Sequence, residues 1–277
     1  MAVNAALTAS KFAAGILGHS HALTADAVES TADIFSSVIV WRGVIVAAEP
    51  ADPDHPYGHG KAEPLAAASV AIMLLLAAVG IMARSAQGLF EPRERPRAFT
   101  LYVLIAVIVV KGFLFRFVSR EAGSLQSIAL HSDAWHHRSD AITSLAAGLG
   151  ITLALFGGPR LAFADDAAAI VAGAIIAWNG WRLLRPALNE LMDAAPGSAL
   201  ISDIRAAAGA VPGVNAVEKC IVRKMGFQYF VDMHVEVDPR ITVQAGHDIA
   251  HNVKNKVRGA VPSVHDVLVH VEPSAVK

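Results

Sequence analysis

Asp26, Glu29 and Asp33 recur at spacings of three and four in Leu-Thr-Ala-Asp-Ala-Val-Glu-Ser-Thr-Ala-Asp, and His136 and Asp140 stand four apart in Ser-Asp-Ala-Trp-His-His-Arg-Ser-Asp. On a helix such spacings stack side chains on one face, so the first run presents a carboxylate stripe and the second an imidazole above a carboxylate. Two such helices face to face would make a four-ligand site. Three carboxylates and one imidazole suit a divalent cation of borderline hardness, and Zn²⁺, Mn²⁺, Fe²⁺ and Co²⁺ all qualify. Both runs lead into apolar segments, where an ionisable residue costs about 2.5–3.5 kcal/mol on insertion scales. Glu29, Asp33 and Asp140 together are too expensive there to be incidental. Asp26 and Asp133, nearer the helix starts, fit a structural role equally well, and Lys11, Arg42 and Arg138 are the cations that could pair with these acids. The imidazole of His136, with an ordinary pKa near about 6.5, could take up a proton as the metal leaves and so couple metal movement to a proton gradient.

Two further clusters have ligand character. In Asp-Pro-Asp-His-Pro-Tyr-Gly-His-Gly-Lys-Ala-Glu, the turn expected at Pro56 and Gly58 brings His55 and His59 together beside Asp52. Near the end of the chain, alternation puts Tyr229, Val231, Met233, Val235 and Val237 on one face of a strand and Asp232, His234 and Glu236 on the other. His270 and Glu272 share a face of a later strand, away from Val267, Val269 and Val271. If the two strands are neighbours, His234, His270 and Glu272 form a surface metal site. His247 and His251, one helical turn apart, are further contributors to consider, although exposed helical histidines are more often idle. Cys220, the one cysteine, excludes an internal disulfide and reads as a small buried residue.

The elements that must hold these residues follow from composition. Of 277 residues, 54% are hydrophobic and 17% charged, which marks a membrane protein. A bilayer core needs roughly 20 apolar residues per helix. Six segments qualify, near Ala2–Gly18, Leu23–Ala48, Glu63–Phe90, Phe99–Val118, Leu125–Phe156 and Leu161–Leu184. The first is short and carries Lys11. Arg42, Lys61, Arg116, Arg120, Arg182 and Arg185 favour termini in the cytoplasm, against Arg93, Arg95 and Arg97 in one connection. In the sixth segment Ala169, Gly173 and Ala177 permit close helix packing, and Asp165 and Asp166 favour the positive end of that helix. After Pro196-Gly197 the pattern becomes that of a water-soluble domain. Helices are expected at Ser198–Ala208 and Thr242–Val257, the latter with Thr242 as cap, and strands at Asn215–Arg223, Phe227–Val237 and Val264–Val271. The order α-β-β-α-β describes a small α+β sandwich. The resulting division is a helical membrane domain over 1–190 and a soluble domain over 191–277. A net charge of −1 without a long basic run argues against nucleic acid, and the first residues show no signal peptide.

These motifs, in this order, resemble the cation diffusion facilitators, membrane exporters of divalent transition metals. His-Ser-His-Ala-Leu-Thr-Ala-Asp-Ala-Val-Glu-Ser-Thr-Ala-Asp resembles the family's second-helix signature, and His-Pro-Tyr-Gly-His-Gly-Lys-Ala-Glu the opening of its third helix. Ser-Asp-Ala-Trp-His-His-Arg-Ser-Asp resembles the fifth-helix signature, and Tyr-Phe-Val-Asp-Met-His-Val-Glu-Val-Asp the tail. The resemblance implies a homodimer of α-helical membrane subunits with six transmembrane helices each. It also implies a metallochaperone-like, ferredoxin-like α+β domain on the cytoplasmic side that dimerises and binds regulatory metal. Carried over, the transport ligands are Glu29, Asp33, His136 and Asp140, the loop ligands Asp52, His55 and His59, and the tail ligands His234, His270 and Glu272, with His247 as a candidate. Lys61 matches a family lysine that pairs with an acidic residue ending the sixth helix, here Asp193. Glu29 departs from the His or Asp common at its position, which leaves manganese, iron and cobalt open beside zinc, and Glu272 stands where aspartate is the expectation.

The function expected from the sequence is therefore proton-coupled export of a divalent metal, zinc first with iron and manganese close behind, across the cell membrane of a bacterium. A non-transporting metal receptor or scaffold on the same fold is the alternative. A metal-dependent hydrolase is disfavoured, because no His-Glu-x-x-His motif is present and no general base stands beside an open coordination position. A passive channel is disfavoured because a tight chelating site slows exit.

Overall fold

The computed structural model describes residues 2–90, 96–125, 144–158 and 161–274, without the side chains of residues 2 and 114–125. Its contacts divide it into two units, one of Met1–Ile39 with Ser69–Leu184, the other of Val40–Ala68 with Arg185–Lys277.

The membrane helices are α1 (Ala2–Leu17), α2 (His21–Ala47), α3 (Ala62–Gly88), α4 (Phe99–Leu125), α5 (Ser144–Phe156) and α6 (Ala164–Leu191). Among the described residues α2, α3 and α6 are long and apolar enough to cross a membrane, and α1, the first half of α4 and α5 are shorter apolar helices. Polar contacts at one end of the first unit set the start of α2. Ser20 caps the helix, its Oγ accepting from the Leu23 amide at 3.1 Å. The hydroxyl donates in turn to Asp165 Oδ1 at 2.7 Å, and the His21 amide donates to Asp165 Oδ2 at 2.6 Å. Asp166 Oδ1 lies 2.6 Å from His21 Nδ1. Asp165 thus also satisfies the first amides of α2, and Asp166 holds the His21 side chain, roles that their own helix does not reveal. Leu23, Leu104, Ala147, Ile151 and Ala169 form the core between helices, while Phe35, Leu76, Val109, Phe113, Leu149 and Phe156 point outward, as lipid-facing residues do. The small residues of α6 bring it against α3. A Cβ on Gly173 would stand 2.7 Å from Met82 Cγ, so a larger residue there would have to displace the Met82 side chain.

In the second unit, α7 (Ser198–Gly209), β1 (Ala216–Met225), β2 (Gln228–Val237), α8 (Val243–Ala260) and β3 (Val264–Pro273) follow the expected order. β1 and β3 run two residues further at their C-terminal ends than the sequence pattern indicates, β2 starts one residue later, and α8 runs on to Ala260. Val231, Met233, Val235 and Val237 are buried and alternate with Asp232, His234 and Glu236. Thr242 caps α8 by accepting from the Ala245 amide. The sheet has order β1-β2-β3. β1 and β2 are antiparallel around a turn at Gly226-Phe227, where φ of +59° at Gly226 suits glycine. β2 and β3 are parallel, joined through α8. Ile204 and Ala208 of α7 and Val253 and Val257 of α8 cover one sheet face and close the core. The other face carries the polar residues.

α6 continues to Leu191, beyond the Leu184 at which the apolar run ends, because hydropathy marks a lipid-facing stretch and not the last helical hydrogen bond. Asp193, left-handed at φ +56°, then ends it and places its carboxylate 2.6 Å from Lys61 Nζ. Lys224 of β1 reaches Glu190 Oε2 at 2.8 Å.

Candidate metal centres

On α2, Asp26 is 3% exposed, and Glu29 and Asp33 are half-buried one and two turns further along. Of the cations that the sequence offers as partners, Lys11 meets this stripe. It is fully buried, its Nζ lying 2.6 Å from Asp26 Oδ2 and donating to Ser30 Oγ at 3.0 Å. Ser144 at the start of α5 donates to Asp26 Oδ1 at 2.9 Å. A lysine that weakens the first apolar segment by hydropathy is thus the counter-charge of the second. The network also brings α5 against α2 at the level of the carboxylate stripe. His136 and Asp140, and with them Asp133 and Arg138, lie outside the described residues.

In the loop before α3, Asp52, His55 and His59 come together with one ligand atom from each inside 4.8 Å. Asp52 Oδ1 accepts from the His55 amide at 2.6 Å and the Asp54 amide at 3.0 Å, an Asx turn that curls the chain back on itself. His55 Nδ1 lies 3.1 Å from Asp52 Oδ1, and His59 Nε2 3.5 Å from Oδ2. The hydrogen bond from the His55 backbone, opposed by slight desolvation and aided by the two imidazoles, holds the Asp52 carboxyl below the usual carboxylate range. Its acceptor-only form is therefore ready for a cation. His59 is 15% exposed, and its Nδ1 is buried without a hydrogen-bond partner, a free ring nitrogen of the kind a metal or a proton satisfies. Gly60 fixes where the loop lies. A Cβ there would stand 2.7 Å from the Met225 carbonyl carbon, so the loop passes against the β1–β2 turn as only glycine permits. Tyr57 packs edge-on against Phe230 at 6.0 Å, with the Arg223 guanidinium 5.3 Å from its ring centre. A cleft of about 810 Å³ lies between this loop and the sheet.

In the tail, parallel pairing sets His234 beside His270 and Glu236 beside Glu272. His234 Nδ1 is 2.7 Å from Glu272 Oε1, His270 Nε2 is 3.6 Å from the same oxygen, and the imidazole centres are 4.9 Å apart. The three residues offer ligand atoms within 4.8 Å of one another, two imidazoles and a carboxylate that fit a divalent transition metal. His247 does not join them. It pairs with His251 on α8, ring centres 4.5 Å apart, because α8 covers the core face of the sheet while the three ligands project from the other. One residue without a role in the sequence reading, Glu218 of β1, stands 3.9 Å from His234 Nδ1. Its contact with Glu272 raises the Glu218 carboxyl above the ordinary range and lowers that of Glu272. Partial burial raises the Cys220 thiol, in keeping with its packing against the core.

The chain matches two family models in succession, the cation efflux transmembrane domain over residues 1–192 and the cation efflux protein cytoplasmic domain over 196–274. It is 30% identical over 274 residues to the manganese efflux system protein MneP of Bacillus subtilis, an alignment spanning 98% of this chain and 92% of MneP. It is 32% identical over 300 residues to metal tolerance protein 2 of Oryza sativa subsp. japonica, covering 98% of this chain and 76% of that protein. It is also 30% identical over 272 residues to the magnetosome protein MamB of Magnetospira, covering 98% and 92%. A carboxylate stripe inside a helical membrane unit, a small α+β tail and both matched models meet in one conclusion: the chain belongs to the cation diffusion facilitators, the cation efflux family of divalent metal transporters.

Proposed function

We propose that this protein exports a divalent first-row transition metal from the cytoplasm by proton antiport, with Mn²⁺ ahead of Zn²⁺ and Fe²⁺ as its physiological substrate. The carrying observation is the α2 stripe of Asp26, Glu29 and Asp33, three acids at helical spacing on an apolar helix, with Asp26 held by Lys11 and Ser144 and with Glu29 and Asp33 half-buried beyond it. Completed by His136 and Asp140, they make a substrate site of three carboxylates and one imidazole. That set is harder than the two-histidine sets typical of zinc, and manganese, at the weak end of the divalent affinity order, leaves it most readily. The similarity to MneP supports the same choice of metal, where sequence alone ranked zinc first.

In the cycle, the cation sheds water to bind the four ligands from the cytoplasmic side. The helix bundle then rocks to expose the site outward, and protonation of His136 assists release. Residues 1–190 carry transport. Residues 191–277 form a cytoplasmic tail through which two copies pair, and its His234, His270 and Glu272 take up regulatory metal. Asp52, His55 and His59 form an accessory site in the loop. The protein resides in the cell membrane, a bacterial inner membrane on this reading.

Metal flux into sealed proteoliposomes tests the proposal, with Mn²⁺, Fe²⁺, Co²⁺ and Zn²⁺ compared for the native chain and Asp140→Ala. Flux fastest for Mn²⁺, driven by an imposed pH gradient and abolished in the mutant, is the expected result. Flux that survives Asp140→Ala places the substrate site elsewhere, and indifference to the pH gradient removes the antiport. A folded native dimer without flux points to the receptor.

A further inference from the structure

Four polar contacts tie the start of α2 to the start of α6, and both oxygens of Asp165 are used, Oδ1 by the Ser20 hydroxyl and Oδ2 by the His21 and Ala22 amides, while Asp166 meets the His21 ring. Further along, the two helices have other partners. α6 lies against α3 through Gly173 and Gly180, whereas α2 is tied to α1 by Lys11 with Asp26 and to α5 by Ser144. α2 meets α3 at its far end, where Gly43 faces Ala66, and α5 meets α6 through Gly150 and Ala168. Those are small apolar contacts, which can slide without breaking a hydrogen bond. The contacts at Asp165 and Asp166 are therefore a polar clasp between the α3–α6 pair and the helices that hold the carboxylate stripe.

The clasp stands above that stripe. His21 precedes Glu29 by eight residues, about 12 Å along a helix. With the termini in the cytoplasm, α2 and α6 both begin at the outer face. The His21 and Asp166 side chains are 22% and 11% exposed and Asp165 is 4% exposed, so water reaches the pair and Asp165 stands behind it. Between clasp and stripe, Ala22, Leu23 and Ala25 of α2 and Ala169 of α6 are buried in the interhelical core.

We propose that Ser20, His21, Asp165 and Asp166 are the outer closure of the transport path, a clasp that opens each time the stripe is exposed outward. His21, Asp165 and Asp166 then act by position and do not bind the metal. The physical reason is solvation. A carboxylate stripped of three donors inside an apolar bundle would bear its full desolvation cost, whereas at the edge of water solvent replaces the lost donors. The charge-assisted bonds hold the closed arrangement, and the wet rim lets them be exchanged for water when α2 and α6 part.

This inference rests on the export reading, and the test keeps the two apart. The full-length chain with Cys220→Ser, which removes its one cysteine, is placed in proteoliposomes, and its Mn²⁺ flux checks export first. Ser20→Cys with Asp165→Cys, and separately His21→Cys with Asp166→Cys, are added to that background. Each pair is bridged by a short bis-methanethiosulfonate and then released by reductant. Bridging is expected to bring flux down to that of empty liposomes, and release to restore it. A clasp that only caps α2 stays shut through the cycle, so flux that survives bridging overturns the proposal. If neither pair transports before bridging, hydrogen exchange on the Cys220→Ser chain decides. The His21 and Ala22 amides should exchange faster during Mn²⁺ transport than without metal, and equal exchange overturns the proposal. A Cys220→Ser chain without flux fails the export reading itself, and the clasp with it.

Discussion

Lys11 shows how a residue that looks like a flaw in one element is a requirement of another. Removing its charge leaves Asp26 buried and unpaired, and breaking one side of a buried pair costs about 3–5 kcal/mol, most of it the penalty on the charge left behind. Lys11→Met is expected to lower the thermal unfolding temperature in detergent sharply, and Lys11→Met with Asp26→Asn to recover most of the loss. Equal losses in the single and double variants would show that Asp26 is not the group Lys11 serves. Asp193 makes the complementary point. Its carboxylate meets Lys61 because a left-handed residue ends α6 there, a conformation that aspartate tolerates better than most side chains.

At the level of elements, the loop before α3 is held by backbone proximity more than by side-chain grip. The approach of Gly60 to Met225 leaves no room for a Cβ, and backbone atoms cannot move aside as a flexible side chain would. Gly60→Ala is therefore expected to cost about 1–3 kcal/mol, the range for forced overpacking. It should also weaken metal binding by Asp52, His55 and His59, since the preceding residue, His59, must shift. Calorimetry and thermal unfolding on the same preparation check both effects, and unchanged values in each would mean that the loop is free of the β1–β2 turn. The strands of the tail behave differently. Their alternation is strong enough that the partition of Val231, Met233 and Val235 from Asp232, His234 and Glu236 was legible before any pairing was known. The bulge at Glu218, where the pairing of β1 with β2 slips by one residue, was not, because no residue type there signals it, and only the joint packing of Val217 and Cys220 betrays the slip.

For the whole molecule, the proposed pairing of two tails makes regulatory metal a matter of quaternary arrangement. Metal held on the sheet face would favour one arrangement of the dimer over others by its differential affinity for them. Small-angle scattering of the full-length protein should show compaction on adding Mn²⁺. A variant combining His234→Ala, His270→Ala and Glu272→Ala should lose most of that response while keeping its dimeric mass. A full response in the variant would remove the tail from this role.

Sequence alone determined what depends on local periodicity and cost. Apolar runs long enough for a bilayer, acids too expensive to be incidental, two-residue alternation in the tail and the Thr242 cap are all properties of short stretches, readable from residue types. Tertiary structure decided which distant groups meet. Lys11 with Asp26, Asp165 with the start of α2, and the separation of His247 from the tail ligands depend on helix rotation and on which sheet face a helix covers. Glu218 beside His234 depends on a one-residue slip in strand register. Such contacts are set by packing across more than a hundred residues in some cases and by backbone pairing in others. Neither leaves a periodic trace in the chain, because the free energy that selects them belongs to the assembled core and not to any one segment.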